Sequence, residues 1–270
     1  MYYNYTKNIG LIFKLLVSFF INRFWELFHI AKLKNFAMNF AFKKPEILWT
    51  DFGNYLATSL QYYYTIIDDY EMEIQKEIIE VIKRNNRESW KKCMINIWAN
   101  IWRYSVMLAY KYWYDVLAFE PNPLTFKNLK INTVLSDVDW KTDLYNIWLG
   151  NLNETLEFTT WDILCDWKAH IVSDKTLEYK NIIKIPVKRF DDLDIDAEKI
   201  DKTRLIIMDV EWFELNVLKG MENTLKKFHD VSFIIEIWDN QKNKDAVLDF
   251  MKQLDYTVKQ IDKDNWLFAK

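Results

Sequence analysis

Four carboxylates stand out by type and place. Asp209 and Glu211 fall in LIIMDVEWFELNVLKGMENTL, at the end of an apolar run, with Glu214 three residues on; Glu236 closes another apolar run in FIIEI. Acids gathered at strand ends can act as a general base or accept hydrogen bonds from a substrate hydroxyl, the alternative being that they cap the following helices. Glu120, in FEPNP, closes a third apolar run about twenty residues beyond INIWANIWRYS. A carboxylate at that offset from a loop that opens a helix is placed to accept hydrogen bonds from two ribose hydroxyls; an ordinary surface acid at a strand end is the competing reading.

Elements must exist to hold these groups, and the chain supplies them. Short aliphatic runs alternate with helical stretches: CMINI (93–97), YDVLAFE (114–120), TDLYNI (142–147), LIIMDV (205–210), VSFIIEI (231–237), YTVKQID (256–262) and WLFAK (266–270). Near-continuous apolar strands separated by helices predict a mostly parallel sheet covered on both faces. Only a short turn separates the last two, which predicts an antiparallel hairpin at one edge. The fold class expected is α/β, Rossmann-like, with a seven-stranded sheet over 89–270 and an α-helical N-terminal extension over 1–88. In such a sheet a ligand lies at the carboxyl ends of the strands, near the switch in strand order, which is where the four acids fall.

Within the extension, Ile12, Leu15, Leu16, Phe19, Phe20, Phe24, Leu27 and Phe28 recur at helical spacing, the stripe of an amphipathic helix. Its apolar runs are broken by Lys14, Arg23 and Glu26 and are shorter than the roughly 20 residues a bilayer span needs. Neither a spanning helix nor a signal peptide is expected. The stripe suits packing on its own domain or a partner subunit, or peripheral contact with a membrane surface. From Asp51 to about Lys92 one or two further helices are expected, Ile74, Ile78, Ile79 and Ile82 sharing one face.

Charge and cysteine usage exclude other classes. A net charge of −3, with acids and bases interspersed, gives no footprint for nucleic acid. Cys93 and Cys165 are far apart, and His29, His170 and His229 show no ligand spacing. No metal site is expected, and a reduced, cytoplasmic compartment is.

One feature of composition is anomalous. The 270 residues include 4 glycines and 13 tryptophans. Together these make about 6% of the chain, close to the roughly 7% that glycine alone usually supplies. In INIWANIWRYS the chain must turn sharply and let a ligand approach its backbone amides, a task for glycine, yet Trp98 and Trp102 stand there.

INIWANIWRYS, VLAFEPNPLTFKNLKIN, IWLGNLNETLEF, LIIMDVEWFELNVLKGMENTL and FIIEI resemble, in order and spacing, the FkbM family of S-adenosylmethionine-dependent methyltransferases, whose runs look like D-x-G-A-N-x-G, F-E-P-N-P and D-V-E-G-x-E-x-x-V-L-K-G. The resemblance covers about Cys93 to Trp238 and implies a class I methyltransferase fold with S-adenosyl-L-methionine as cofactor. By the same resemblance Asn96, Trp98, Ala99, Asn100 and Trp102 line the cofactor's methionine end, and Glu120, with Pro121 and Asn122, holds its ribose. Asp209, Glu211 and Glu236 are the catalytic candidates facing the acceptor. The reaction implied is O-methylation of a hydroxyl on a sugar, glycan or related metabolite, with no nucleic-acid partner.

The chain departs from the family at 98, 102 and 212, where tryptophan replaces glycine, at Trp113 in the turn before the second strand, and at Asn96, where the family has aspartate; Gly220 is retained. Two accounts follow. Taken literally, the tryptophans occlude the cofactor loop and leave a pseudoenzyme acting as a binding or scaffold protein. Alternatively, UGA codons that specify glycine in some bacterial lineages have been translated as tryptophan. A dinucleotide-dependent oxidoreductase is a third reading, since Glu120 alone does not tell one ribose-bearing cofactor from another.

Overall fold

The structure is a computed structural model that describes residues 45–58, 60–67, 71–85, 92–100, 103–159, 170–171, 182–238 and 243–270, with 13, 14 and 17. The amphipathic stripe expected over the first 45 residues lies outside the described residues, apart from those three positions.

Seven strands form the central sheet, and they are the seven expected. In chain order they are β3 (Cys93–Ile97), β4 (Asp115–Phe119), β5 (Thr142–Tyr145), β10 (Thr203–Met208), β11 (Ser232–Glu236), β12 (Thr257–Gln260) and β13 (Asn265–Ala269). Their spatial order is β12-β13-β11-β10-β3-β4-β5. β11, β10, β3, β4 and β5 are mutually parallel, whereas β13 runs antiparallel to β11 and to β12. The strand order reverses beside β3, whose five residues are all buried.

Alternation along each strand divides the core in two. Met94, Val116, Ala118, Leu205, Ile207 and Ile234 face one apolar cluster, and Ile95, Ile97, Leu117, Phe119, Ile206, Met208, Phe233 and Ile235 face the other. A strand with a covered layer on both sides has no polar face to show, which is why these runs read as continuous. The helices α3 (Arg103–Tyr112) and α4 (Pro123–Leu135) follow β3 and β4; α5 (Ala197–Asp201), α6 (Glu214–Gly220), α7 (Glu222–Leu225) and α8 (Lys244–Gln253) complete the domain.

Two parts differ from expectation. The segment from Asp51 was expected to be helical, but β1 (Glu46–Thr50) and β2 (Gly53–Ala57) form an antiparallel hairpin, turning at Gly53 with φ +131°. Helices α1 (Leu60–Ile67) and α2 (Met72–Asn85) follow. The hairpin persists because α4 satisfies its open edge: the Asn54 N–H donates to Ser136 Oγ at 2.8 Å and the Leu56 N–H to Asn132 Oδ1 at 2.8 Å. A two-stranded hairpin is marginal without such support, and support from residues some eighty positions away leaves no local trace.

The second difference is a four-stranded sheet between β5 and β10, ordered β6-β9-β7-β8, from β6 (Trp148–Leu149), β7 (Glu154–Thr159), β8 (His170–Ile171) and β9 (Ile182–Lys188). Two of its strands are only two residues long, and Pro186 interrupts the third. Because β6 pairs only with Val187 and Lys188, Pro186 has no neighbour on that side expecting an N–H.

Candidate active site

The loop after β3 is held by backbone bonds. The Ala99 N–H donates to Phe119 O at 2.7 Å and the Asn100 N–H to Glu120 Oε2 at 2.7 Å. Glu120 also accepts the Asn122 N–H on Oε1 at 2.8 Å, so one wholly buried carboxylate laces together the loops after β3 and β4. Ala99 is part of the core. Asn122 serves chiefly the helix, as N-cap of α4: its Oδ1 accepts the Leu124 N–H at 3.0 Å with Pro123 at the first helical position. The Pro121 carbonyl accepts from Asn146 Nδ2 at 3.0 Å.

Backbone conformation in these loops is unusual. Trp98 has φ +65° and Asn100 φ +50° in the loop after β3; Glu211 has φ +45° and Trp212 φ +77° after β10. Trp113, before β4, has φ +60°. Asparagine tolerates this region, but for a bulky aromatic residue it is a genuine outlier, costing on the order of 1–2 kcal/mol per residue. Trp102 lies outside the described residues.

At the carboxyl ends of β3, β10 and β11 opens a cleft with about 390 Å³ of empty space, its open mouth included. Asn96, Trp98, Asp209 and Glu236 line it, as expected, joined by Glu71, Tyr104 and Asn265. Asn96 is fixed by donating from Nδ2 to Ser105 Oγ at 2.8 Å, and Tyr104 donates its hydroxyl to Glu71 Oε2 at 2.8 Å. Sequence reading missed these last three because Glu71 lies in a charged run and Asn265 in a terminal hairpin, neither with a motif. Glu211 is not part of the cleft lining, although its charge is felt at Asp209.

The electrostatics centre on Asp209 and Glu236. The two carboxyls are close enough to shift one another's ionisation, and Asp209 Oδ1 is buried without a hydrogen-bond partner among the described residues. Burial pushes Asp209 up to about 7, with Glu211 adding to it. Burial pushes Glu236 up to about 10, with the facing Asp209 charge adding to it, and Glu211 to about 7. At neutral pH the pair therefore holds a proton, chiefly on Glu236. Glu214, the fourth acid read from the sequence, is buried and accepts the Trp212 N–H at 3.0 Å, bracing the turn into α6.

A second, smaller cavity lies on the other side of residue 98, lined by Phe119, Pro121, Ile147, Trp148 and Val210 among others. Trp98 lines both cavities, and its indole packs against Trp148 with ring centroids 5.1 Å apart. The backbone of this region suits a nucleoside cofactor, with tight loops at strand ends and an ordered acid after β4. The indole at 98 takes up space at the end of β3, where it lines both cavities, and Glu120 is closed off from solvent.

A curated relative, "Methyltransferase 1" of Beauveria bassiana (strain ARSEF 2860), is 21% identical over 189 residues, covering 64% of this chain and 75% of that protein. Among solved structures, M. jannaschii TYW2 in complex with AdoMet is 14% identical with a TM-score of 0.42, covering 83% of this chain and 84% of that one. The N-terminal domain of human METTL16 in complex with SAH is likewise 14% identical, at a TM-score of 0.42 and coverages of 72% and 67%. The family described as the methyltransferase FkbM domain matches residues 80–258, and its cofactor is S-adenosylmethionine. Because that match spans more than half of the chain, the chain belongs to the FkbM methyltransferase family.

Proposed function

We propose that the protein methylates a hydroxyl oxygen on a sugar, glycan or related metabolite, with Asp209 as the base. The observation that carries this reading is the buried, unpartnered Asp209 Oδ1 on the floor of the cleft. S-adenosylmethionine, when bound, supplies an electrophilic methyl group. The rest falls to the chain's own residues. As an acceptor hydroxyl becomes an ether oxygen its proton must leave, and Asp209 Oδ1 is an acceptor with nothing else to bind. Glu236, holding a proton, donates to Asp209 and so orients it, which makes it a positioning residue.

Support for an oxygen nucleophile is chemical: a hydroxyl gives up its proton to a carboxylate during attack, and among the described residues this cleft is lined by carboxylates and by no lysine or arginine. Replacement D209N, made in a protein with glycine at 98, 113 and 212 and assayed for methyl transfer to hydroxyl-bearing acceptors under cofactor saturation, is expected to lower turnover at least 100-fold, the usual scale for a general base. Unchanged turnover removes Asp209 from the mechanism. The indole at 98 favours a second reading, a binding or scaffold protein that keeps the fold without the cofactor. The compartment we infer is the cytoplasm, in keeping with a buried free thiol at Cys93 that burial pushes up to about 12. Among the described residues no helix is long and apolar enough to cross a membrane.

A further inference from the structure

Among the described residues, eight that are not glycine have positive φ, and three of these are tryptophan: Trp98, Trp113 and Trp212. The other five are Glu71, Asn100, Asp137, Glu211 and Asp255, acids and one asparagine in turns. Tryptophan is poorly suited to this region, because its Cβ meets the adjoining carbonyl and its ring adds bulk without any local hydrogen bond to offset the clash. Nor does burial compensate at two of the sites. Trp113 is 64% exposed and Trp212 46% exposed, so neither indole is held in place by a core. All three stand where the chain turns at the end or start of a central strand, after β3, before β4 and after β10. Trp140, Trp148 and Trp266, by contrast, have ordinary φ.

The third site adds a separate observation. Trp98 is the wall shared by the cleft of Asp209 and Glu236 and the apolar cavity of Phe119, Pro121 and Val210. Reduced to a hydrogen, residue 98 would leave one groove running from the carboxylate pair past the end of β3 to the end of β4.

We propose that the protein its own cell makes carries glycine at positions 98, 113 and 212, encoded by UGA, and that this opens a single continuous cofactor groove. The identity of the three residues rests on backbone conformation; only the purpose of the groove rests on the methyltransferase reading. Trp102 lies outside the described residues and is left out of the assignment.

The test is peptide mass spectrometry of the protein purified from its source cells. Peptides spanning 93–103, 112–127 and 205–219 are expected to have the masses of glycine at 98, 113 and 212; tryptophan at these positions overturns the proposal. A second measurement needs no source cells: W113G and W113A are made side by side and melted. Since alanine keeps the Cβ, W113G is expected to melt higher than W113A, and equal or reversed melting temperatures overturn the backbone argument. Neither readout depends on cofactor binding. Glycine at all three positions in a protein that binds no S-adenosylmethionine would sink the methyltransferase reading and leave this one standing.

Discussion

At the scale of single residues, a carboxyl pair with one proton decides what the cleft can do. Asp209 accepts a proton only when ionised, so turnover is expected to rise with pH through about 7, the value to which burial pushes it; a flat profile between pH 6 and 8 contradicts its role as base. Glu236 makes a different prediction. Folded, its carboxyl is pushed up to about 10, against roughly 4.3 in an unfolded chain. Between those values the native state holds a proton that the unfolded state has released, so this group makes stability fall as pH rises. E236Q keeps a donor facing Asp209 with nothing to titrate. It is expected to retain turnover within about tenfold and to lose less stability than the parent between pH 6 and pH 9, by up to about 4 kcal/mol in denaturant titrations. At this scale much was legible: Glu120, Asp209 and Glu236 were visible as acids ending apolar runs, and each does lie at the carboxyl end of a strand of the central sheet. What the sequence withheld was their division of labour. Glu211 points its charge without lining the cleft, and Asn122 is taken up by helix capping, because both roles depend on the paths of the loops.

Elements come next, and here the turns carry the strain. Trp113 packs edge-on to Trp140 at 6.3 Å, with the Lys141 ammonium 5.6 Å from its ring. Lys141 is also 4.9 Å from Trp140 and pairs with Asp115 at 3.0 Å, so losing the Trp113 ring costs little at this exposed site. Comparing W113G with W113A cancels that loss, and the difference, about 1 kcal/mol in favour of glycine, measures the backbone alone. Gly220 is the opposite case, a glycine kept for close approach: a Cβ there would lie 1.9 Å from the Gly150 carbonyl oxygen. G220A is therefore expected to destabilise by about 3 kcal/mol or more in denaturant titrations, parting α6 from the second sheet. Strands of the central sheet were legible because burial on both faces writes an unbroken apolar run. The β1–β2 hairpin and the second sheet were not. The hairpin depends on side chains of α4 for its edge, and the second sheet is made of strands too short for any period to show.

For the whole molecule, the mostly parallel sheet with its antiparallel edge hairpin was readable from the sequence, since connectivity and handedness leave few alternatives for alternating strands and helices. The cleft with its added Glu71, Tyr104 and Asn265 was not, because it joins parts of the chain nearly two hundred residues apart. Function at this scale turns on whether two cavities are one. With tryptophan at 98 the groove is divided, and the fold stands without its cofactor; with glycine it is continuous, and the ordered Glu120 and the Asp209 pair lie along the same path. The most direct test is calorimetric titration of S-adenosylmethionine into the chain as written and into the W98G/W113G/W212G protein. The expected result is saturable binding, on the order of micromolar, by the glycine form and no measurable heat from the other. Equal binding by both forms, or none by the glycine form, would contradict the account.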